Sequence, residues 1–205
     1  MKLSHQHVFK ADTDPLAPPL LLLHGTGGDE NDLLALGSEI SPGSPLISPR
    51  GNVLEHGMPR FFRRFAEGVF DLADVEERTH ALADFLAAAA GEYRFDPAKL
   101  VAVGYSNGAN IAASLLLLHP ESLAGAVLFR AMVVLKPEKL PDLRRKRILI
   151  SSGQHDPIVP NDHPIRLADQ FRAAGAEVTL NWNATAGHGL TFADRSIAKS
   201  FLSSR

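Results

Sequence analysis

A chain of 205 residues is short for two full domains yet long enough to bury a core without covalent staples. It has no cysteine, which excludes disulfides, thiolate metal sites and a cysteine nucleophile. Its 21 basic and 23 acidic residues give a net charge of −2 with no long block of either sign, so nothing marks a nucleic-acid footprint.

The opening stretch, with Lys2, His5, His7 and Lys10 among few apolar residues, is too polar for a secretory leader. The longest greasy run, Ile111 to Leu118, falls well short of the ~18 residues that a membrane span needs. A cytoplasmic protein without a membrane partner is therefore expected. Residues 3 to 9 fit an edge strand, and a strand is predicted at Leu20 to His24. A helical stretch at Asp29 to Leu36 and a strand at Pro45 to Ser48 follow.

Residues Gly51 to Phe70 are weakly patterned; in a parallel sheet they would form an excursion over the carboxyl edge, where ligands bind. Asp71 to Ala90 has apolar residues at helical spacing with acids in its first turn, and Gly91 is placed to end it. Then come a strand at Leu100 to Gly104, a helix at Asn107 to Leu118 and a strand at Gly125 to Phe129. Arg130 to Arg145 is again weakly patterned. A strand at Arg147 to Ser151, a helix at His163 to Ala174, a strand at Glu177 to Asn181 and a helix at Leu190 to Leu202 complete the chain. Near-continuous Val, Ile and Leu in the strands suits burial on both faces. The alternation predicts one α/β domain over residues 1–205, a mostly parallel sheet covered by helices on both sides.

The chemistry begins at Gly104-Tyr105-Ser106-Asn107-Gly108, a G-x-S-x-G motif between a predicted strand and a predicted helix. Such a sharp turn exposes the serine oxygen, and the flanking glycines remove side chains that would meet neighbouring backbone. A serine hydroxyl is a poor nucleophile unless an imidazole, oriented by a carboxylate, takes its proton. His188, in the glycine-flanked loop Ala186 to Leu190 before the last helix, is the candidate base. His80 and His119 at helices, and His5 and His7 near the amino end, read as surface residues. Asp156 is the first carboxylate after the strand at Arg147 to Ser151 and is the candidate acid, with Asp162 as the alternative. The order Ser106, Asp156, His188 is that of α/β-hydrolases and neither that of chymotrypsin nor that of subtilisin.

His24-Gly25-Thr26-Gly27-Gly28 closes the first clear strand and has the form of an HG-type oxyanion loop. The two amide donors such a site needs are then the backbone N–H groups of Thr26 and Asn107.

The segments HGTGGDENDL, SPRG, GYSNGAN, SGQHDPIVP and AGHGL, in this order over almost the whole chain, resemble the carboxylesterase/phospholipase family of small α/β-hydrolases, to which acyl-protein thioesterases also belong. The lack of cysteine sets the chain apart from the Cys-type dienelactone hydrolases. The resemblance implies an α/β-hydrolase fold with a minimal lid and an esterase or thioesterase acting through Ser106, Asp156 and His188, with no cofactor or metal. Asn107 stands where many eukaryotic-type members carry Gln. This is more like bacterial carboxylesterases of the subgroup linked to quinone or catechol stress than like protein depalmitoylases.

The excursion holds Gly57-Met58-Pro59-Arg60-Phe61-Phe62-Arg63-Arg64-Phe65, in which Phe61 could wall a substrate pocket and Arg60 attract a carboxylate. The equal alternative is that the phenylalanines are core and the arginines solvated. The reading is thus a hydrolase of small carboxylic esters, and the rival from another class is a hydrolase-fold protein that binds a small ligand without turning it over. Base rates alone favour a homodimer as the oligomeric state.

Overall fold

The computed structural model describes residues 3–11, 13, 14 and 16–204. Its central element is a seven-stranded sheet of β1 (His7–Lys10), β2 (Leu20–Leu23), β3 (Leu46–Pro49), β8 (Val101–Tyr105), β9 (Gly125–Phe129), β10 (Arg147–Gly153) and β11 (Glu177–Asn183) in the order β1-β3-β2-β8-β9-β10-β11. Only β1 runs antiparallel, pairing with β3 at the edge; the other pairs are parallel. The helices are α1 (Leu34–Ile40), α2 (Leu72–Tyr93), α3 (Asn107–Leu118), α4 (Asp162–Ala173) and α5 (Phe192–Ser203). This is an α/β-hydrolase fold.

The four leucines of β2 show why the apolar runs become central strands. All are fully buried, and the period of two sends Leu21 and Leu23 into the core beneath α2, α3 and α4 while Leu20 and Leu22 face α1 and α5. Residues 53–70 fold as two short hairpins, β4 (Val53–Glu55) with β5 (Met58–Arg60) and β6 (Arg64–Ala66) with β7 (Val69–Phe70). Arg60 of β5, Arg64 of β6 and Phe70 of β7 lie at the carboxyl edge beside Tyr105, the last residue of β8. Among the described residues no helix is long and apolar enough to cross a membrane.

Several boundaries differ from expectation for local reasons. The first helix starts at Leu34 rather than Asp29, because the Asp29 carboxylate accepts the Asn31 amide at 2.7 Å and Glu30 is drawn to Arg50 and Gln6. Gly91 does not end α2, which runs on to Tyr93 with Arg94 in the left-handed conformation at its C-cap. The extra turn is held by tertiary contacts: the Tyr93 ring stacks on Phe9 at 4.1 Å and its hydroxyl meets His7 Nε2 at 2.7 Å. These offset the ~1 kcal/mol that a glycine costs a helix interior. The last helix starts two residues after Leu190, at Phe192, where Thr191 and Asp194 form a capping box. His5, expected at the surface, is buried with its ring 4.9 Å from that of Phe85.

Candidate active site

Ser106 sits between the end of β8 and the first residue of α3 with φ 53° and ψ −114°, outside the regions favoured by an L-residue. Its amide donates to Phe129 O at 2.9 Å and its carbonyl accepts Asn110 N–H at 2.9 Å, so the turn is fixed from both sides. The glycines of the motif are required by close approach. A Cβ on Gly104 would lie 2.6 Å from Gly108 O, and one on Gly108 would overlap the carbonyls of Leu23 and His24.

The structure brings Ser106, His188 and Asp156 together. Ser106 Oγ lies 3.0 Å from His188 Nε2, and His188 Nδ1 lies 2.8 Å from Asp156 Oδ2. The second Asp156 oxygen accepts the amides of Ile158 and Val159 at 2.8 and 3.0 Å, which fixes the carboxylate at the end of β10. Its side chain is almost fully buried, while the histidine stays partly open to solvent. Asp162, the alternative acid, instead pairs with Arg166 on the exposed face of α4.

Thr26 and Asn107 both line a cavity of about 200 Å³ that opens on Ser106. In the Gly25 to Gly28 turn, Gly27 N–H is taken by Pro59 O and Gly28 N–H by Gly25 O; among the described residues the Thr26 amide has no protein acceptor. Nor has the Asn107 amide, which opens α3 and so has no helical partner. His24 is buried and braces this turn, its Nδ1 bonded to Gly25 O at 2.6 Å and its Nε2 accepting Gly51 N–H at 3.0 Å. Burial pushes the His24 imidazole below its ordinary range, favouring the neutral form this arrangement uses.

Arg60 and Phe61 are tied to those same two residues. Arg60 Nη1 donates to Thr26 Oγ1 at 2.6 Å, and Phe61 N–H donates to Asn107 Oδ1 at 2.7 Å. Arg60 lines the cavity as expected, but the Phe61 side chain does not: it is buried in the core with its ring 4.7 Å from that of His24. The correction has a simple cause. The chain bends just past β5 at Phe61 and Phe62, and both rings enter the core while Arg60, the last residue of β5, lines the cavity.

One residue without a sequence signal completes the site. Arg130, left-handed at φ 57° just after β9, is fully buried and uses all five N–H donors. It bonds Gly187 O at 3.0 Å and Gly189 O at 2.8 Å on either side of His188, Ser151 O at 3.0 Å, and both Asp194 oxygens. Burial by itself would raise the Asp194 carboxyl, but hydrogen bonds from Arg130, Ser151 and Thr191 outweigh it and hold it below the usual carboxylate range. Among the described residues no three His, Asp or Glu side chains gather as a metal ion would require.

The sequence profile of the dienelactone hydrolase family matches residues 63–201. The chain belongs to that family. This dienelactone hydrolase family member is 45% identical over 186 residues to MhqD of Bacillus subtilis (strain 168), a protein named as a hydrolase, covering 91% of this chain and 92% of that one. Among solved structures it resembles the Bacillus cereus carboxylesterase, with 47% identity, a TM-score of 0.94, and 97% of this chain and 93% of the other covered. It also resembles YahD, solved with malic acid, with 33% identity, a TM-score of 0.90, and 97% and 98% covered. The family member is thus a hydrolase, as the motif order implied. Having no cysteine, it carries no thiolate nucleophile.

Proposed function

We propose that this hydrolase cleaves small carboxylic esters through an acyl-enzyme formed on Ser106. The observation that carries the reading is the unbroken line from Ser106 Oγ through the His188 ring to Asp156, with both links within hydrogen-bond distance. His188 Nε2 takes the hydroxyl proton as Oγ adds to the ester carbonyl, and the charge that develops on the carbonyl oxygen meets the amides of Thr26 and Asn107. The imidazolium then protonates the departing alkoxide, leaving the acyl group on Ser106. A water, activated by the same imidazole, adds to that acyl group and releases the acid. Asp156 keeps the proton of the neutral ring on Nδ1, so that Nε2 is free to accept.

The small cavity favours short substrates, since it lies below the roughly 300 to 1,000 Å³ of ordinary ligand pockets. Malic acid, the molecule in the YahD structure, is of that size class. Thioesters of short acids share the same chemistry and are the nearest alternative substrates.

A fluorophosphonate probe tests the mechanism. One label per chain, abolished by Ser106→Ala, is expected. Folded protein that takes no label and hydrolyses no activated ester would favour the binding protein that does not turn its ligand over.

A further inference from the structure

A second hollow, of about 400 Å³ against about 200 Å³ at Ser106, opens at the other end of the sheet. Val101, Gly125 and Arg147, which line it, are the first residues of β8, β9 and β10 and stand side by side in the parallel register. Tyr105, at the far end of β8, lines the cavity at Ser106, so the length of that strand, about 13 Å, separates the two. Among the described residues none lines both.

The walls of the hollow are apolar and its charges have one sign. Pro18, Ala124, Phe201 and Leu202 supply carbon surface, and the volume is that of an ordinary small-molecule pocket. Lys99, Arg145 and Arg147 are its charged residues, and among the described residues no carboxylate lines it. Arg147 is already engaged. Its guanidinium lies 4.6 Å from the centre of the Phe201 ring and donates to Ser204 O and, at 3.0 Å, to Ser204 Oγ, while Nε stands 3.8 Å from Glu177. Lys99 Nζ and the Arg145 guanidinium have no hydrogen bond or ion pair among the described residues. Asp142, the acid closest to Arg145 in sequence, is taken by Arg144 at 2.9 and 3.0 Å.

A lone solvated lysine needs no partner. Two unpaired cations at one apolar hollow that no acid lines are different, because together they attract an anion whose body can displace water from the carbon surface. Lys99 and Arg145 are exposed while Leu202 is buried, which sets the charge at the mouth and the carbon surface below it. We propose that the hollow at the amino ends of β8, β9 and β10 is a second, non-catalytic binding site for an amphiphilic organic anion. Its carboxylate meets Lys99 and Arg145, and its short aliphatic body lies against Pro18, Ala124 and Leu202. The proposal does not rest on the esterase reading, because none of these residues belongs to the cavity at Ser106.

The test titrates octanoate into isotope-labelled protein at neutral pH and follows the amide NMR signals. Octanamide serves as the neutral analogue and acetate as the anion without a body. Saturable shifts at Lys99, Val101, Gly125 and Leu202, with a Kd below about 1 mM, are expected, while Thr26, Ser106 and His188 stay unmoved. Octanamide should bind about ten-fold more weakly or worse, the scale of one hydrogen bond to a charged group, and acetate should not saturate. Added salt should weaken octanoate and leave octanamide unaffected. Lys99→Glu combined with Arg145→Asn should abolish octanoate binding at an unaltered unfolding midpoint, since both side chains are exposed and asparagine suits the left-handed φ of 69° at position 145. Should that variant not fold, Ala98→Trp, at an exposed lining position, is expected to block the hollow, and the wild-type comparison stands without either. Equal binding of octanamide, shifts confined to residues around Ser106, or no saturation below about 10 mM overturns the proposal. Octanoate binding that persists in the folded double variant does the same. So does a dimer that this variant disperses while octanoate is inert, which would make a second copy of the chain the occupant.

Discussion

Arg130 and Asp194 form a fully buried ion pair, 2.7 Å between Nη2 and Oδ2, and the same guanidinium holds the carbonyls on both sides of His188. One buried charge thereby links the end of β9, the first turn of α5 and the loop that carries the imidazole. The arrangement is held by acceptors on every donor, which is the condition under which a buried pair is tolerated.

Asp194→Asn is expected to cost roughly 3 to 5 kcal/mol of stability in urea unfolding, because a buried guanidinium loses its counter-charge. Replacing both partners by apolar residues, as in Arg130→Met with Asp194→Leu, should recover much of that stability. Ester turnover should stay low in the double variant, since the loop at His188 has lost its tethers. A double variant with wild-type kcat would assign the pair to stability alone.

Asp156→Asn should leave folding nearly unchanged, because the amide oxygen can still accept from Ile158 and Val159. Its NH₂ would face His188 Nδ1 and turn the ring to the tautomer that cannot accept from Ser106. A fall in kcat on the order of 10⁴-fold, with an unaltered unfolding midpoint, is the expected result. A loss below about ten-fold would mean that Asp156 does not control the ring.

Gly108→Ala should be severely destabilising even though alanine favours helices. The added methyl would overlap the β2 carbonyls and push α3 off the sheet, at a cost of about 1 to 3 kcal/mol or more. Thermal unfolding measures it. Gly91→Ala, inside α2 with open space at its Cβ, is expected to stabilise by up to about 1 kcal/mol in the same assay.

Burial lowers the His5 pKa from 6.5 to about 4, with His7 and Arg78 adding to the effect. Between those two values the unfolded chain binds a proton that the folded chain does not, so stability falls as pH drops through that window. The shift corresponds to a loss of up to roughly 3 kcal/mol. His24 and His163 are lowered too and act in the same direction. Unfolding in urea from neutral to mildly acid pH should show the slope, and His5→Leu should reduce it. An unchanged slope in that variant would assign it to other groups.

Much of the molecule was legible in the order of its residues. Runs such as Leu20–Leu23 and Ile148–Ile150 announce buried parallel strands because hydrophobicity and chain direction are local properties. The turn at Ser106 announces itself because only glycine leaves room on both sides of it, a steric demand written at fixed spacing. Asp156 and His188 could be nominated because the strands ahead of them deliver both to one edge of the sheet. What the tertiary structure decided is where side chains without a periodic or steric signature are sent. Arg60 ends β5 and lines the cavity, whereas Phe61 stands in the bend that follows and joins the core with Phe62. His5 is polar by type but is covered by α2. The Arg130 and Asp194 pair spans 64 residues, and nothing near either one foretells the other. A buried charge must find its partner wherever the folded chain places one, and that is a property of the assembled layers rather than of any stretch of sequence.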